Sequence, residues 1–355
     1  MPITAVDAIS PAFQHTKRQL LQPFRFWQWT RLAIVGLLAG EMGSSGGSRF
    51  SRALREHQPQ QHFGPGFPKI DPALLVPVIA VLAIAALTIF IVLLYISSVM
   101  RFILFDSVVA KECHIGDGWN RRQVPGWKYF LWHLAFAFVV FVIAVLLVGL
   151  PAAYAFRAGW FSQPHAHMGP LILGGIILVG AFVVFAIVAA IIQVFTKDFV
   201  VPQMALEGID AVEGWRRLWP MIERESGAYI VYALMKIVLS IIAGIAVTIV
   251  SVILGVLVVI PAVVVGLAAV FTGKSAGMVW NPLTITAAIV AACVVIFVLL
   301  YLLALISVPV IVFFPAYSIY FFASRYRPLS LILYPPPAAG TPSAPPPLPP
   351  SPQPA

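Results

Sequence analysis

The chain has 355 residues, of which 61% are hydrophobic and 10% charged, and its mean hydropathy is +0.96. A soluble domain is roughly 45–50% apolar and about 25% charged, so a chain with this few charges cannot cover its own surface in water. This excludes a soluble globular protein, a disordered chain and a nucleic-acid-binding domain, and it leaves a multi-pass membrane protein. The net charge of +9 fits the Lys/Arg bias of cytoplasmic loops and attraction to anionic lipid headgroups.

Residues 1–31 carry Lys17, Arg18, Arg25 and Arg31 and no apolar signal-peptide core. The first membrane helix is therefore expected to act as its own insertion signal. Ser10 followed by Pro11 fits the N-cap and first turn of a helix. Phe24–Gly40 (FRFWQWTRLAIVGLLAG) is short and carries Arg25 and Arg31 near one end. It reads either as an interfacial amphipathic helix or as a short span anchored by its aromatics and arginines.

Further along, Pro72–Met100, Tyr129–Phe156, Pro170–Phe195 and Pro282–Phe314 each exceed the roughly 20 apolar residues a span needs. Gly227–Phe271 is interrupted by Pro261. Gly227–Ile260 alone would reach about 50 Å as a helix, more than the roughly 30 Å hydrocarbon core. With no polar turn inside it, the stretch reads as one tilted or overhanging pass stopped near Pro261. Cys113 falls in a connection and Cys293 in a span, so no disulfide between them is expected.

The polar connections look alike. Gly118-Trp119 and Gly214-Trp215 superpose with an offset of 96, and Arg121-Arg122 and Arg216-Arg217 follow them. Asp7-Ala8-Ile9 resembles Asp210-Ala211-Val212. The pattern reads as three copies of a surface helix followed by a helical hairpin, roughly 1–104, 105–197 and 198–314. Chance similarity between apolar segments competes with this reading, so its weight rests on the polar connections. The repeat decides for Phe24–Gly40 as a span. The expected fold is all-α: a transmembrane helical bundle of about six spans over residues 1–330, with a disordered Pro-rich cytoplasmic tail at 331–355.

Each surface helix has a start signal. Asp210 with Glu213 fits a capping box, and Asp117 can cap the middle copy. Val212, Trp215, Trp219 and Ile222 fall on one face of the third, which suits a helix lying at headgroup depth. Trp119, Arg121, Arg122, Trp215, Arg216, Arg217 and Trp219 are thus expected as interfacial anchors; partner docking is the competing role. The segments around these helices and the C-terminal tail together hold 15 Lys and Arg, against 6 on the other side. The positive-inside rule then places both termini in the cytoplasm of a cell inner (plasma) membrane.

Few residues carry candidate chemistry. Lys236 sits about 12 Å inside the fifth span, where a charge is a functional candidate by default. Snorkelling, or pairing with Asp106 or Asp198, is the competing explanation; His133 is weighed the same way. Ser240, Gly244, Thr248, Ser251 and Gly255 form a small-residue stripe that suits helix packing within the monomer, with a dimer face as the alternative. His57, His62, His165 and His167 fall in outer loops without metal-site spacing. Gly43–Ser48 (GSSGGS) is a flexible loop, since it lacks the Lys-Ser/Thr of a phosphate cradle. The sequence shows no G-x-S-x-G, H-E-x-x-H or C-x-x-C.

The run Asp198-Phe199-Val200-Val201-Pro202…Leu206-Glu207…Gly214-Trp215-Arg216-Arg217-Leu218-Trp219-Pro220 resembles a group of prokaryotic multi-pass proteins of uncharacterised role. These are similar in layout to the membrane domain attached to some bacterial glycerophosphodiester phosphodiesterases. The resemblance covers roughly residues 5–325 and implies a membrane helical module. It supplies no catalytic residues, because the chain lacks the soluble diesterase domain and its opening His-Arg pair. The expectation is a non-enzymatic scaffold, regulatory or lipid-organising module without cofactor or metal. Its partners are the bilayer, anionic headgroups on the cytoplasmic side, and a membrane protein or a second copy. A small-molecule or lipid transporter is the alternative.

Overall fold

Within lipid every backbone group must find its partner inside its own segment, so long apolar runs become long helices. The computed structural model describes residues 3–41, 72–160, 168–275 and 282–335. In chain order these form α1 (Ile9–Leu21), α2 (Phe26–Leu38), α3 (Pro72–Ala110), α4 (Ile115–Arg157) and α5 (Met168–Phe195). A π turn (Thr196–Val200) leads into α6 (Val201–Glu207), followed by α7 (Ala211–Arg224), α8 (Ser226–Ser275), α9 (Pro282–Ala323) and α10 (Arg327–Leu333). The described residues contain no strand.

Five of these helical stretches are long and apolar enough to cross a membrane. With 39, 43, 50 and 42 residues, α3, α4, α8 and α9 reach about 58–75 Å, roughly twice the hydrocarbon core. The excess length has a structural use. The most apolar stretches of the five bury almost none of their side chains: Val78–Leu93 of α3 is exposed throughout, and Ile237–Ile260 of α8 is exposed or half-buried. The opposite ends pack together into a buried base. Its core joins Phe102 and Leu104 of α3, Phe199 of the π turn, Met204 of α6, Leu218 of α7, Tyr232 of α8 and Phe321 of α9.

The N-terminal helices complete this base. Ala8 and Ala12 are buried, and the Tyr317 hydroxyl of α9 donates to the Ala5 carbonyl at 3.1 Å. His15 is held at 2.8 Å from the Val108 carbonyl and 3.2 Å from the Tyr320 hydroxyl. Helix α2 lies between α3 and α9, where a Cβ on Gly36 would stand 2.5 Å from Ile311 Cγ2. The two ends of the described chain meet, since Arg325 donates to the Ile3 carbonyl at 3.1 Å.

Several sequence expectations need correction. The fifth span does not stop at Pro261: α8 runs through it to Ser275. A helical proline forfeits one hydrogen bond, whereas a turn in lipid would strand several backbone groups. The middle surface helix is not separate either, because α4 runs through Pro125 into the span; the Arg121 carbonyl released there lies on an exposed turn. Helix α2 has 13 residues, about 20 Å, and is too short by itself to cross. The described helices therefore supply five full-length spans rather than six. Helix α1 starts at Ile9 with Ala8 as N-cap, not Ser10, and His114 rather than Asp117 precedes α4. Asp210 does hold the N-cap position of α7 but makes no capping hydrogen bond; it pairs with Lys128 at 2.7 Å, and Glu213 pairs with Arg216 and Arg217. Residues 331–333 belong to α10 rather than to the tail.

Candidate functional site

The π turn positions the most concentrated charge in the base. Pro202 cannot donate to the Asp198 carbonyl, so the regular ladder breaks there and the chain accommodates one wider turn. That turn sends Lys197 toward the end of α2 and Asp198 toward α8. Glu41 accepts hydrogen bonds from Lys197 and, at 3.3 Å, from Arg101 of α3. A second Arg101 nitrogen donates to the Ala39 carbonyl at 2.5 Å. Asp198 accepts from the Tyr232 hydroxyl at 2.9 Å and from Lys236. The side chains of Glu41, Asp198 and Lys236 are only 4%, 3% and 12% exposed, so each is desolvated and depends on its partners.

Aromatic rings support the ion pairs. Tyr232 stacks on Tyr317 with centroids 5.2 Å apart and on Phe321 at 4.6 Å, and Phe199 meets Tyr232 at 5.1 Å. This packing fixes the Tyr232 hydroxyl against Asp198. Among the described residues the cluster thus holds Arg101, Lys197 and Lys236 against Glu41 and Asp198, an excess of one positive charge.

Above the cluster, α5 and α8 diverge and leave an open cleft of about 980 Å³. Ile187, Ile191 and Val194 recur at helical spacing on one wall; Ala233, Ile237 and Ile241 do so on the other. Lys197, Lys236 and Glu41 also line it, Lys236 midway along the α8 wall between Ser226 and Ile245, with Phe314 of α9. The combination is an apolar slot that meets buried cations partway along its length.

Two further charge groups tie the base together. Arg122 grips Asp106 with two bonds of 2.6 and 2.7 Å and reaches the Ala205 carbonyl at 2.6 Å. Glu207 receives both Arg217 and the Tyr326 hydroxyl. Burial, reinforced by the Glu207 carboxylate, pushes the Tyr326 hydroxyl pKa up.

The residues singled out from sequence are distributed as follows. Lys236 belongs to the buried cluster, paired with Asp198; Asp106 serves Arg122 instead. Ser240 and Gly244 border the cleft. At Gly255 an added Cβ would meet nothing within 4 Å among the described residues. Thr248 donates to the Gly244 carbonyl of its own helix, and Ser251 is half-buried. Trp215 points inward and donates to Thr196 at 3.0 Å, while Trp119 stands edge-on to Tyr95. Trp219 and Arg216 face outward, as does Arg121. Arg122 is half-buried on Asp106, and Arg217 is exposed and pairs with Glu207 and Glu213. The buried face of α7 is Ala211, Gly214 and Leu218, opposite in character to the exposed Val212 and Trp219. His133 packs beside Tyr129. Gly43–Ser48, His57, His62, His165, His167 and residues 336–355 lie outside the described residues. Cys113 and Cys293 are both free thiols.

Sequence reasoning missed Glu41, Arg101 and Lys197. The available signal was the repeat offset, since Arg101 and Lys197 are themselves 96 positions apart. Among the described residues no group of three or more His, Cys, Asp or Glu is placed to hold a metal.

Fold and site together define a polytopic helical membrane protein with a packed, charge-bearing base. The chain belongs to a family of unknown function (DUF7544), whose profile spans residues 3–332. No curated protein and no solved structure matches it.

Proposed function

We propose that the protein is a non-enzymatic membrane module that organises lipid or scaffolds a membrane partner. One observation carries this reading: the base is packed, yet the apolar lengths of its five spans are barely covered by the described residues. Such faces are completed by lipid or by another membrane chain. Among the described residues the buried charges Glu41, Arg101, Lys197, Asp198 and Lys236 engage one another in ion pairs.

The reading includes the threefold repeat, Phe24–Gly40 as a short sixth crossing, and both termini on the basic, cytoplasmic face of the plasma membrane. The Arg325–Ile3 contact supports an even number of crossings, because it holds the two described chain ends at one end of the molecule. The packing of α1 on α9 supports the repeat. It parallels the close approach of Gly118 to Ile103 and of Gly214 to Val200, where surface helices meet exit helices.

The test is purification of the full chain in mild detergent, with mass spectrometry of bound proteins and lipids. A stoichiometric partner or retained lipid is expected; a chain recovered alone and lipid-free refutes the module. A reporter within residues 42–71 found in the cytoplasm refutes the topology. The alternative, transport of a small molecule or lipid, draws on the cleft that Lys197 and Lys236 line. It requires solute-dependent thermal stabilisation that Lys236→Ala abolishes.

A further inference from the structure

We propose that the cleft between α5 and α8 is a binding site for one anionic membrane phospholipid, its acyl chain between the apolar walls and its headgroup phosphate at Lys197 and Lys236. The inference rests on the lipid-organising half of the function proposed above and names the lipid class.

Three observations converge on it. The first is shape. From Ser226 to Ile245 the α8 wall is about 28 Å long at 1.5 Å per residue. The cleft volume of about 980 Å³ stands at the upper end of small-ligand pockets, which run from about 300 to 1,000 Å³. It is open on one side, as a site filled laterally from a bilayer must be. The second is polarity along the length: Ile187, Ile191 and Val194 of α5 face Ile237, Ile241 and Ile245 of α8 above Lys197 and Lys236, while Ser226 and Tyr229 lie on the other side of Lys236, which sits halfway along the α8 wall. An amphiphile matches that pattern, whereas a free polar solute leaves the walls unsatisfied and a plain hydrocarbon leaves the cations unmatched.

The third observation is charge. Arg101 and Lys197 share the single carboxylate of Glu41, and Lys236 shares Asp198 with the Tyr232 hydroxyl. Among the described residues this leaves one positive charge in excess within a desolvated site. Burying an uncompensated charge is costly, and a phosphodiester supplies the missing anion together with oxygens that accept from both lysines. Tyr229, another lining residue, has a buried hydroxyl without a hydrogen-bond partner among the described residues.

The experiment uses the full chain, stripped of lipid in detergent. Mixed micelles containing phosphatidylglycerol or phosphatidylcholine with identical acyl chains are added, and bound lipid is counted by native mass spectrometry. One phosphatidylglycerol per chain is expected, retained at least about tenfold better than phosphatidylcholine, the fold-change of one charge-assisted contact. Lys197→Met removes the excess cation and leaves the Arg101–Glu41 pair in place, so it should abolish the preference for the anionic lipid. Ile191→Trp and Ile241→Trp fill the cleft from exposed wall positions and should expel lipid without lowering thermal stability. Their outcome decides the site even if Lys197→Met fails to fold. Equal retention of both lipids overturns the anionic headgroup. Unchanged binding in the tryptophan variants overturns the location. Displacement of phosphatidylglycerol by an equal concentration of oleate overturns the phospholipid. If the cleft binds no lipid while a protein partner still co-purifies, this inference falls and the scaffold reading stands.

Discussion

The Asp198–Lys236 pair gives the most discriminating test of the base. Asp198→Asn preserves the size of the side chain and its oxygen acceptor for Tyr232, but leaves Lys236 without a counter-charge. Both side chains are nearly buried, at 3% and 12% exposure, and removing one partner of such a pair costs about 3–5 kcal/mol. Lys236→Met strands Asp198 in the same way and should cost a similar amount. The double variant strands neither group, retains the Tyr232 hydrogen bond and fills the same volume. It should therefore lie within about 1 kcal/mol of the wild type, or above it, as neutral replacements of buried ion pairs often do. The coupling energy of the cycle is then at least about 5 kcal/mol, well outside the additivity of independent sites. Thermal unfolding in detergent, read by loss of the monodisperse chromatographic peak, reports it. At about 2 °C per kcal/mol each single variant should lose roughly 6–10 °C, and the double variant should recover most of it. Single variants indistinguishable from the wild type, or a double variant carrying the sum of both losses, would refute the buried pair.

Other expectations follow from the same packing. Gly214→Ala places a Cβ 2.6 Å from Val200 Cγ1, and such overpacking should cost about 1–3 kcal/mol in the same unfolding assay. Arg122→Ala removes both bonds to Asp106 and the one to the Ala205 carbonyl; a loss of about 2–4 kcal/mol is expected, with Arg122→Lys recovering only part because it cannot bridge the carboxylate with a planar fork. His15 has its pKa held below the ordinary 6.5, chiefly by burial and further by Lys111 and Arg18, against the hydrogen bond it donates to the Val108 carbonyl. The unfolded chain then binds the proton more readily, so the His15 contribution to stability is complete above about pH 6.5 and is lost as pH falls below it. Unfolding midpoints measured from pH 7.5 to 5.5 should decline, and His15→Gln should flatten that decline.

Composition and period alone determined that the chain is an all-helical membrane protein, because lipid leaves a charge-poor chain no other way to satisfy its backbone. Most span positions were also legible, since apolar length is a local property. Spacing alone could not tell that α8 continues through Pro261 or that α4 merges surface helix and span, because a proline's effect depends on what would solvate an alternative turn. The sequence marked Lys236 as anomalous and offered Asp106 or Asp198 as its partner; only the tertiary structure assigned Asp198 to it and Asp106 to Arg122. It also decided that Trp215 turns inward while Trp219 stays out, a matter of which neighbours each helix face meets. Glu41, Arg101, Lys197 and Lys236 come from four separate segments. Their assembly into one buried cluster below an apolar cleft depends on long-range packing of α2, α3, α8 and the π turn, and no local pattern encodes a contact between residues 156 positions apart.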